Sequence, residues 1–169
     1  MKENFLILSL LVLAAMASGC IQNVEYSSTQ PLYVSYFYTA EATYTKIEIN
    51  QSKLIYTYFP QDVAQEKCKD WLVQAPCWKE EDLKTKEAIL SDDEINGMIK
   101  LIEQTNFINL ESSYGGAGPL QRYYSYKIFV KLGEKEKDVV YQSFPGASPE
   151  PEAFKEIKEK LLELVSDKF

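Results

Sequence analysis

The chain contains no histidine in its 169 residues, and this absence removes several kinds of chemistry. Catalysis by Ser-His-Asp or Cys-His groups, zinc sites with histidine ligands and histidine-based pH switches are all excluded. An enzyme of this composition would depend on carboxylate, tyrosine, lysine or serine side chains. We expect neither a metal site nor a cofactor.

Clustered positive charge is also scarce. The chain has 18 Lys and Arg against 25 Asp and Glu, which gives a net charge of −7. Its lysines alternate with glutamates, whereas contact with a phosphate backbone requires clustered Lys and Arg. We therefore expect no nucleic-acid partner, and the acidic excess favours solubility.

The chain begins with one apolar run, Phe5 to Met16, after a short polar start that carries Lys2. The run is shorter than the ~20 residues that a membrane-spanning helix needs. Small residues, Ala17-Ser18-Gly19, and then Cys20 follow it. This order is typical of a secretory signal peptide with a small-residue cleavage site. An uncleaved membrane anchor is the alternative interpretation.

The stretch Ala17-Ser18-Gly19-Cys20 resembles the lipobox of bacterial and archaeal lipoproteins, with Ala17 where that family usually has Leu. The resemblance implies that Cys20 is lipidated on sulfur and that the signal peptidase cuts just before it. The mature protein would then be extracytoplasmic and attached to the lipid bilayer through acylated Cys20. On this interpretation, residues 1–19 are the signal peptide, 20–31 a lipidated tether and 32–169 a single domain with one core.

Two cysteines remain after Cys20 is assigned to the lipid. Cys68 and Cys77 form an even pair outside the cytoplasm, where disulfides persist, so the sequence predicts a bond between them. The alternatives are two buried free thiols or, less favoured because other soft ligands are missing, a zinc site.

Alternating β-branched and aromatic residues predict most of a sheet. Residues 44–59 indicate a hairpin, 84–90 a further strand and 123–144 a second hairpin. The run Tyr33 to Tyr38 also indicates a strand. Residues 60–82 interrupt the pattern and hold both cysteines of the predicted disulfide, so we interpret them as a stapled loop with local helix around Val63 to Leu72.

Two amphipathic helices are predicted. Ser91-Asp92-Asp93-Glu94 forms a capping box, so the first helix should start at Asp92. Ser148-Pro149-Glu150 predicts the start of the last helix, with Pro149 at the first helical position. The order of elements predicts an α+β fold. Its antiparallel sheet would have about five strands, two hairpins plus one strand, covered on one side by the two helices, with a tyrosine-rich side facing water.

The pattern Leu90 to Glu94, an apolar helix, Asn106 to Leu110, a hairpin and a closing helix resembles small secreted domains that include the emfourin-type metallopeptidase inhibitors. It also resembles uncharacterised small lipoprotein domains. The resemblance covers residues 84–165 and concerns structural positions. It implies inhibition of an extracellular peptidase as one specific function, without assigning functional residues.

The sequence favours a non-catalytic binding module for an envelope protein or a glycan. Both tryptophans, Trp71 and Trp78, fall in the stapled loop, and loops this long are usually functional or disordered. We expect these two residues and Tyr114 to present the binding surface, unless the tryptophans plug the end of the sheet. The alternatives are a structural envelope lipoprotein and a carboxylate-based hydrolase using residues 80–82.

Overall fold

A computed structural model describes residues 30–73 and 75–169. The predictions for the signal peptide, for Cys20 and for the tether up to residue 29 lie outside the described residues. The strands of the described part are β1 (Leu32–Ala40), β2 (Thr43–Asn50), β3 (Lys53–Tyr58), β4 (Lys84–Ile89), β5 (Ser113–Tyr114), β6 (Tyr124–Leu132) and β7 (Lys135–Ser143). They form one sheet in the order β4-β3-β2-β1-β6-β7-β5.

The described part is an α+β fold, as predicted, but its sheet is larger than the predicted five strands. β1 lies at the centre and pairs antiparallel with β2 and β6, with Leu32 opposite Leu132. β5 lies outside the segments predicted as strands, and it pairs in parallel with β7. The sheet is therefore mixed, although every other pair of neighbours is antiparallel.

The described helices are α1 (Gln61–Lys67), α2 (Asp92–Gln104) and α3 (Glu152–Lys168). The predicted capping box at α2 is confirmed. The Ser91 hydroxyl accepts a hydrogen bond from the Glu94 N–H (3.3 Å), and the Glu94 carboxylate accepts one from the Ser91 N–H (2.7 Å). α1 is shorter than the predicted helix over 63–72.

The predicted start of the last helix is wrong, because α3 begins only at Glu152. Pro151 explains the difference. The helical region is sterically disfavoured for a residue that precedes proline, so a helix that includes Glu150 and continues through Pro151 is unfavourable. From Glu152 onwards the predicted apolar face is confirmed, and its buried side chains are Phe154, Ile157, Leu161 and Leu164.

Most strand tyrosines lie on the same side of the sheet as the aliphatic core, where α2 and α3 pack. The expectation of a tyrosine-rich side facing water is therefore wrong. Tyr36 is buried, and the rings of Tyr38 and Tyr126 stack with their centroids 4.4 Å apart. Burial, together with the nearby Tyr38, raises the pKa of Tyr126 to about 12. These rings extend the core past its aliphatic part.

The other side of the sheet is open and carries both charge signs. Its ion pairs include Lys46–Glu48, Lys53–Glu87 and Lys127–Asp138. Burial alone would raise the pKa of Glu48, but hydrogen bonds from Lys46 and from the Tyr33 hydroxyl outweigh it, and the pKa is lowered. Because its charges are paired within the sheet, this side is suited to contact with water.

Candidate functional site

The two ends of the sheet differ in what they contain. The chain enters the described part beside the β6–β7 turn, where the Gly133 N–H donates to the Pro31 carbonyl (2.9 Å). β1 then runs about 30 Å, at ~3.3 Å per residue, to Ala40 at the opposite end, which we call the far end. The stapled loop (residues 60–82) and the glycine loop (residues 115–123) both contact the β1–β2 turn at this far end.

The stapled loop is closed at its base by two links. Cys68 and Cys77 form a disulfide with their Cα atoms 5.7 Å apart, which confirms the predicted bond. Lys67 forms an ion pair with Asp82, which also accepts a hydrogen bond from the Lys79 N–H (2.7 Å). The bonds from Lys67 and Lys79 hold the pKa of Asp82 below its usual range. The loop is thus held by one covalent and one ionic link.

Trp78 fastens the stapled loop to the β1–β2 turn. Its indole N–H donates to the Ala40 carbonyl (3.1 Å), and the neighbouring Cys77 N–H donates to the Glu41 carbonyl (2.9 Å). The Trp78 ring packs edge-on against Tyr44, with centroids 4.9 Å apart. Trp78 is partly buried, as we would expect if its side chain covers the end of the sheet.

The tip of the stapled loop, Trp71-Leu72-Val73, is exposed. The relative exposures are 44% for Trp71, 96% for Leu72 and 60% for Val73. The Trp71 indole N–H donates to the Ala75 carbonyl within the loop (2.7 Å), so the ring is oriented while much of it faces water. The two tryptophans therefore differ, since Trp78 packs on the sheet and Trp71 is presented outward.

Tyr114 is not brought together with the tryptophans. It lies in β5 at the edge of the sheet and is partly buried against the core on the helix side. Trp78 packs on the open side. The glycine loop starts after Tyr114 with Gly115, which has φ +92° and whose added Cβ would overlap the Gln142 carbonyl oxygen. Only glycine fits this close approach.

Glu41, in the β1–β2 turn, joins the two loops. Its backbone carbonyl binds Cys77, as described, and its carboxylate pairs with Arg122, the only arginine in the chain. Arg122 also donates to the Tyr124 hydroxyl (3.1 Å). Leu120, two residues before Arg122, is fully exposed. Sequence reasoning missed Glu41 and Leu120, although a single arginine and a leucine in a glycine-rich loop are signals that could have indicated them.

Within residues 30–73 and 75–169, no group of three His, Cys, Asp or Glu side chains could hold a metal ion. The carboxylates at 80–82, which a hydrolase would need, lie on one short 3-10 turn, and Asp82 is already bound by Lys67 and Lys79. Over the same residues, no helix has the length and apolar character needed to cross a membrane.

Comparisons of the chain with models of known protein families and with curated protein sequences find no match. The resemblances to lipoproteins and to emfourin-type inhibitors therefore stay predictions from the sequence.

Proposed function

We propose that this protein is a lipid-anchored, extracytoplasmic binding module and that the tip Trp71-Leu72-Val73 contacts its ligand. It has no catalytic role in this proposal. The observation that carries the proposal is an exposed apolar tip on a loop that is fixed at its base. Leu72 keeps 96% of its surface exposed although the disulfide and Trp78 hold the loop in place.

Exposed apolar side chains that occur together are a mark of interaction sites, whereas single ones are ordinary. Full burial of one Leu, Val or aromatic side chain contributes about 1.5–3 kcal/mol, so the tip offers a ligand several kcal/mol before the costs of association. Because the links at Lys67–Asp82 and Cys68–Cys77 already order the loop, binding would lose less conformational entropy than it would in a mobile loop.

The proposed anchor rests on the lipobox at residues 17–20 and agrees with the direction of the chain. β1 leads from the entry end to the far end, about 30 Å away. A lipid on Cys20 would keep the entry end near the bilayer. The tip of the stapled loop would then be free to contact another molecule of the envelope.

The proposal favours a protein as the ligand over a glycan. Trp71, Leu72 and Val73 offer apolar contact area, and the indole N–H of Trp71 is already used inside the loop. Sugar recognition depends on several hydrogen-bonding groups around an aromatic ring, and the tip supplies few of them. A buried apolar anchor is the usual centre of a protein–protein interface.

The test is capture of partners by the lipid-free mature chain, residues 20–169 with Cys20→Ser, from a membrane extract of the source cells. The tip variant combines Trp71→Ala, Leu72→Ala and Val73→Ala in this background. Leu162→Ala is the matched control, because Leu162 is 41% exposed on α3, away from the stapled loop.

We expect one stoichiometric partner that is retained by the Leu162→Ala control and lost by the tip variant, while the thermal midpoints stay close to one another. Capture of the same partner by the tip variant would contradict the proposed surface. If no partner is captured by any of these proteins, a structural envelope role becomes the better account.

A further inference from the structure

We infer that the occupant of the tip is a protein surface with an apolar pocket bordered by Lys and Arg side chains. This inference rests on the proposed function and adds the chemistry of the partner. Its basis is the charge of the stapled loop that carries the tip. Residues 61–82 contain six Asp and Glu and three Lys, a net charge of −3 within 22 residues.

In the described part of the chain, four exposed carboxylates of the stapled loop form no ion pair, against one such lysine, Lys69. Within the described part of the chain, Asp62, Glu66, Asp70 and Glu80 form no ion pair, whereas Lys67 is held by Asp82. Asp70 directly precedes the tip.

Asp62 and Glu66 are one helical turn apart on α1, where like charges at this spacing destabilise a helix. A folded loop that keeps these repelling groups beside apolar side chains is suited to a partner that supplies the opposite charge.

Several carboxylates elsewhere in the described part are paired, in contrast to these four. On the open side of the sheet, each of Glu48, Glu87 and Asp138 is paired with a lysine. The Glu41 carboxylate at the base of the same end is paired with Arg122. Unpaired carboxylates and exposed apolar side chains therefore occur together in the stapled loop.

The same charge disfavours a membrane surface as the occupant. Loops that dock on bilayers combine apolar side chains with Lys and Arg, because cell membranes carry anionic lipids. The stapled loop has the opposite balance, so its carboxylates would be repelled by such a surface. A second copy of this chain is disfavoured for the same reason, since two acidic loops facing each other repel.

Selection from a random peptide library displayed on phage tests the inference directly. The lipid-free mature chain is immobilised, and peptides are selected at low salt. We expect enriched peptides that combine aromatic or aliphatic residues with Lys or Arg. Peptides that bind the tip variant equally well are discarded as unrelated to the tip.

The decisive comparison uses charge variants of equal size. Glu66→Gln with Asp70→Asn should weaken binding of the selected peptides roughly threefold to tenfold, as expected for two charges at the rim of an interface. Glu134→Gln with Glu136→Gln is the control, since these exposed carboxylates lie at the β6–β7 turn and form no ion pair in the described structure. Raising the salt from 50 to 500 mM should reduce the difference between the two variants, because exposed charges are screened.

The outcomes separate the inference from the proposed function. Tip-dependent peptides without Lys or Arg, or a Glu66→Gln, Asp70→Asn variant that binds normally, overturn the inference and leave the proposed function standing. If no enriched peptide depends on the tip, both fail. Tip-dependent sedimentation of the chain with vesicles of phosphatidylcholine and phosphatidylglycerol would also overturn the inference, because it would identify a bilayer as the occupant.

Discussion

Replacing each tryptophan by alanine should lower the stability of the fold by different amounts, because the two side chains have different surroundings. Trp78→Ala removes the ring that packs on Tyr44 and the N–H that donates to Ala40. A fully buried aromatic costs about 3–5 kcal/mol when truncated to alanine, and Trp78 is only partly buried. We expect a loss of about 2–3 kcal/mol, including ~1 kcal/mol for the hydrogen bond. This corresponds to a fall in the thermal midpoint of about 5–10 °C.

Trp71→Ala should cost less than about 1 kcal/mol, since the ring is already 44% exposed and the disulfide still holds the loop. Urea unfolding followed by far-ultraviolet circular dichroism measures both values. Trp78→Phe is the control, because it keeps a packed aromatic ring while removing the N–H and part of the indole, so it should lose about 1–2 kcal/mol, less than Trp78→Ala. Equal losses for Trp71→Ala and Trp78→Ala would refute the assignment of one tryptophan to packing and the other to contact.

Further predictions concern the anchor, the disulfide and one helix cap. Cys20→Ser should abolish palmitate labelling and membrane attachment; sedimentation of this variant with membranes after a salt and carbonate wash would contradict the lipid anchor. Mass measurement of alkylated protein should show no free thiol at Cys68 and Cys77 before reduction, and Cys68→Ala with Cys77→Ala should destabilise the fold by about 2.5 kcal/mol. A hydrogen bond from the Ser91 N–H, and to a smaller extent one from Lys168, lowers the pKa of Glu94. The ionised Glu94 carboxylate therefore stabilises the fold at pH values above its usual pKa, and this stabilisation is lost as the pH falls through the lowered pKa. The destabilisation by Glu94→Gln should therefore be largest near neutral pH and shrink below about pH 4, and a penalty independent of pH would contradict this role.

Local signals in the sequence predicted the helices well. The capping box at Ser91 to Glu94 requires contacts within one turn, so its chemistry is visible in four consecutive residues. The start of α3 was misplaced because Ser148-Pro149 satisfied the same kind of local rule, while the second proline, Pro151, disfavours helical geometry at Glu150.

The sheet was predicted less completely because its central pairing is not local. β1 joins the two hairpins by placing Leu32 opposite Leu132, and no pattern within either segment encodes this contact. The two-residue strand β5 is too short to produce an alternating pattern. The position of these tyrosines could have been predicted, since Tyr124 and Tyr126 share the alternating face of Ile128.

The candidate site was also predicted incompletely, because its contacts join residues that are distant in the sequence. The sequence indicated the stapled loop and its disulfide, but both tryptophans fit burial and exposure equally well. The difference arises from Ala40 and Glu41, which lie more than 30 residues earlier in the chain and bind Trp78 and Cys77. Trp71 lacks such a contact with the β1–β2 turn and stays exposed.

Site-specific photocrosslinking in intact cells tests the central claim most directly. A photoreactive phenylalanine analogue would replace Leu72 at the tip or, as the control, Leu162 on α3, in the otherwise unchanged protein expressed from its full sequence. The proposed function predicts one discrete crosslinked protein from position 72 and none from position 162. Absence of a crosslink at position 72, or the same product from both positions, would contradict the tip as the binding surface.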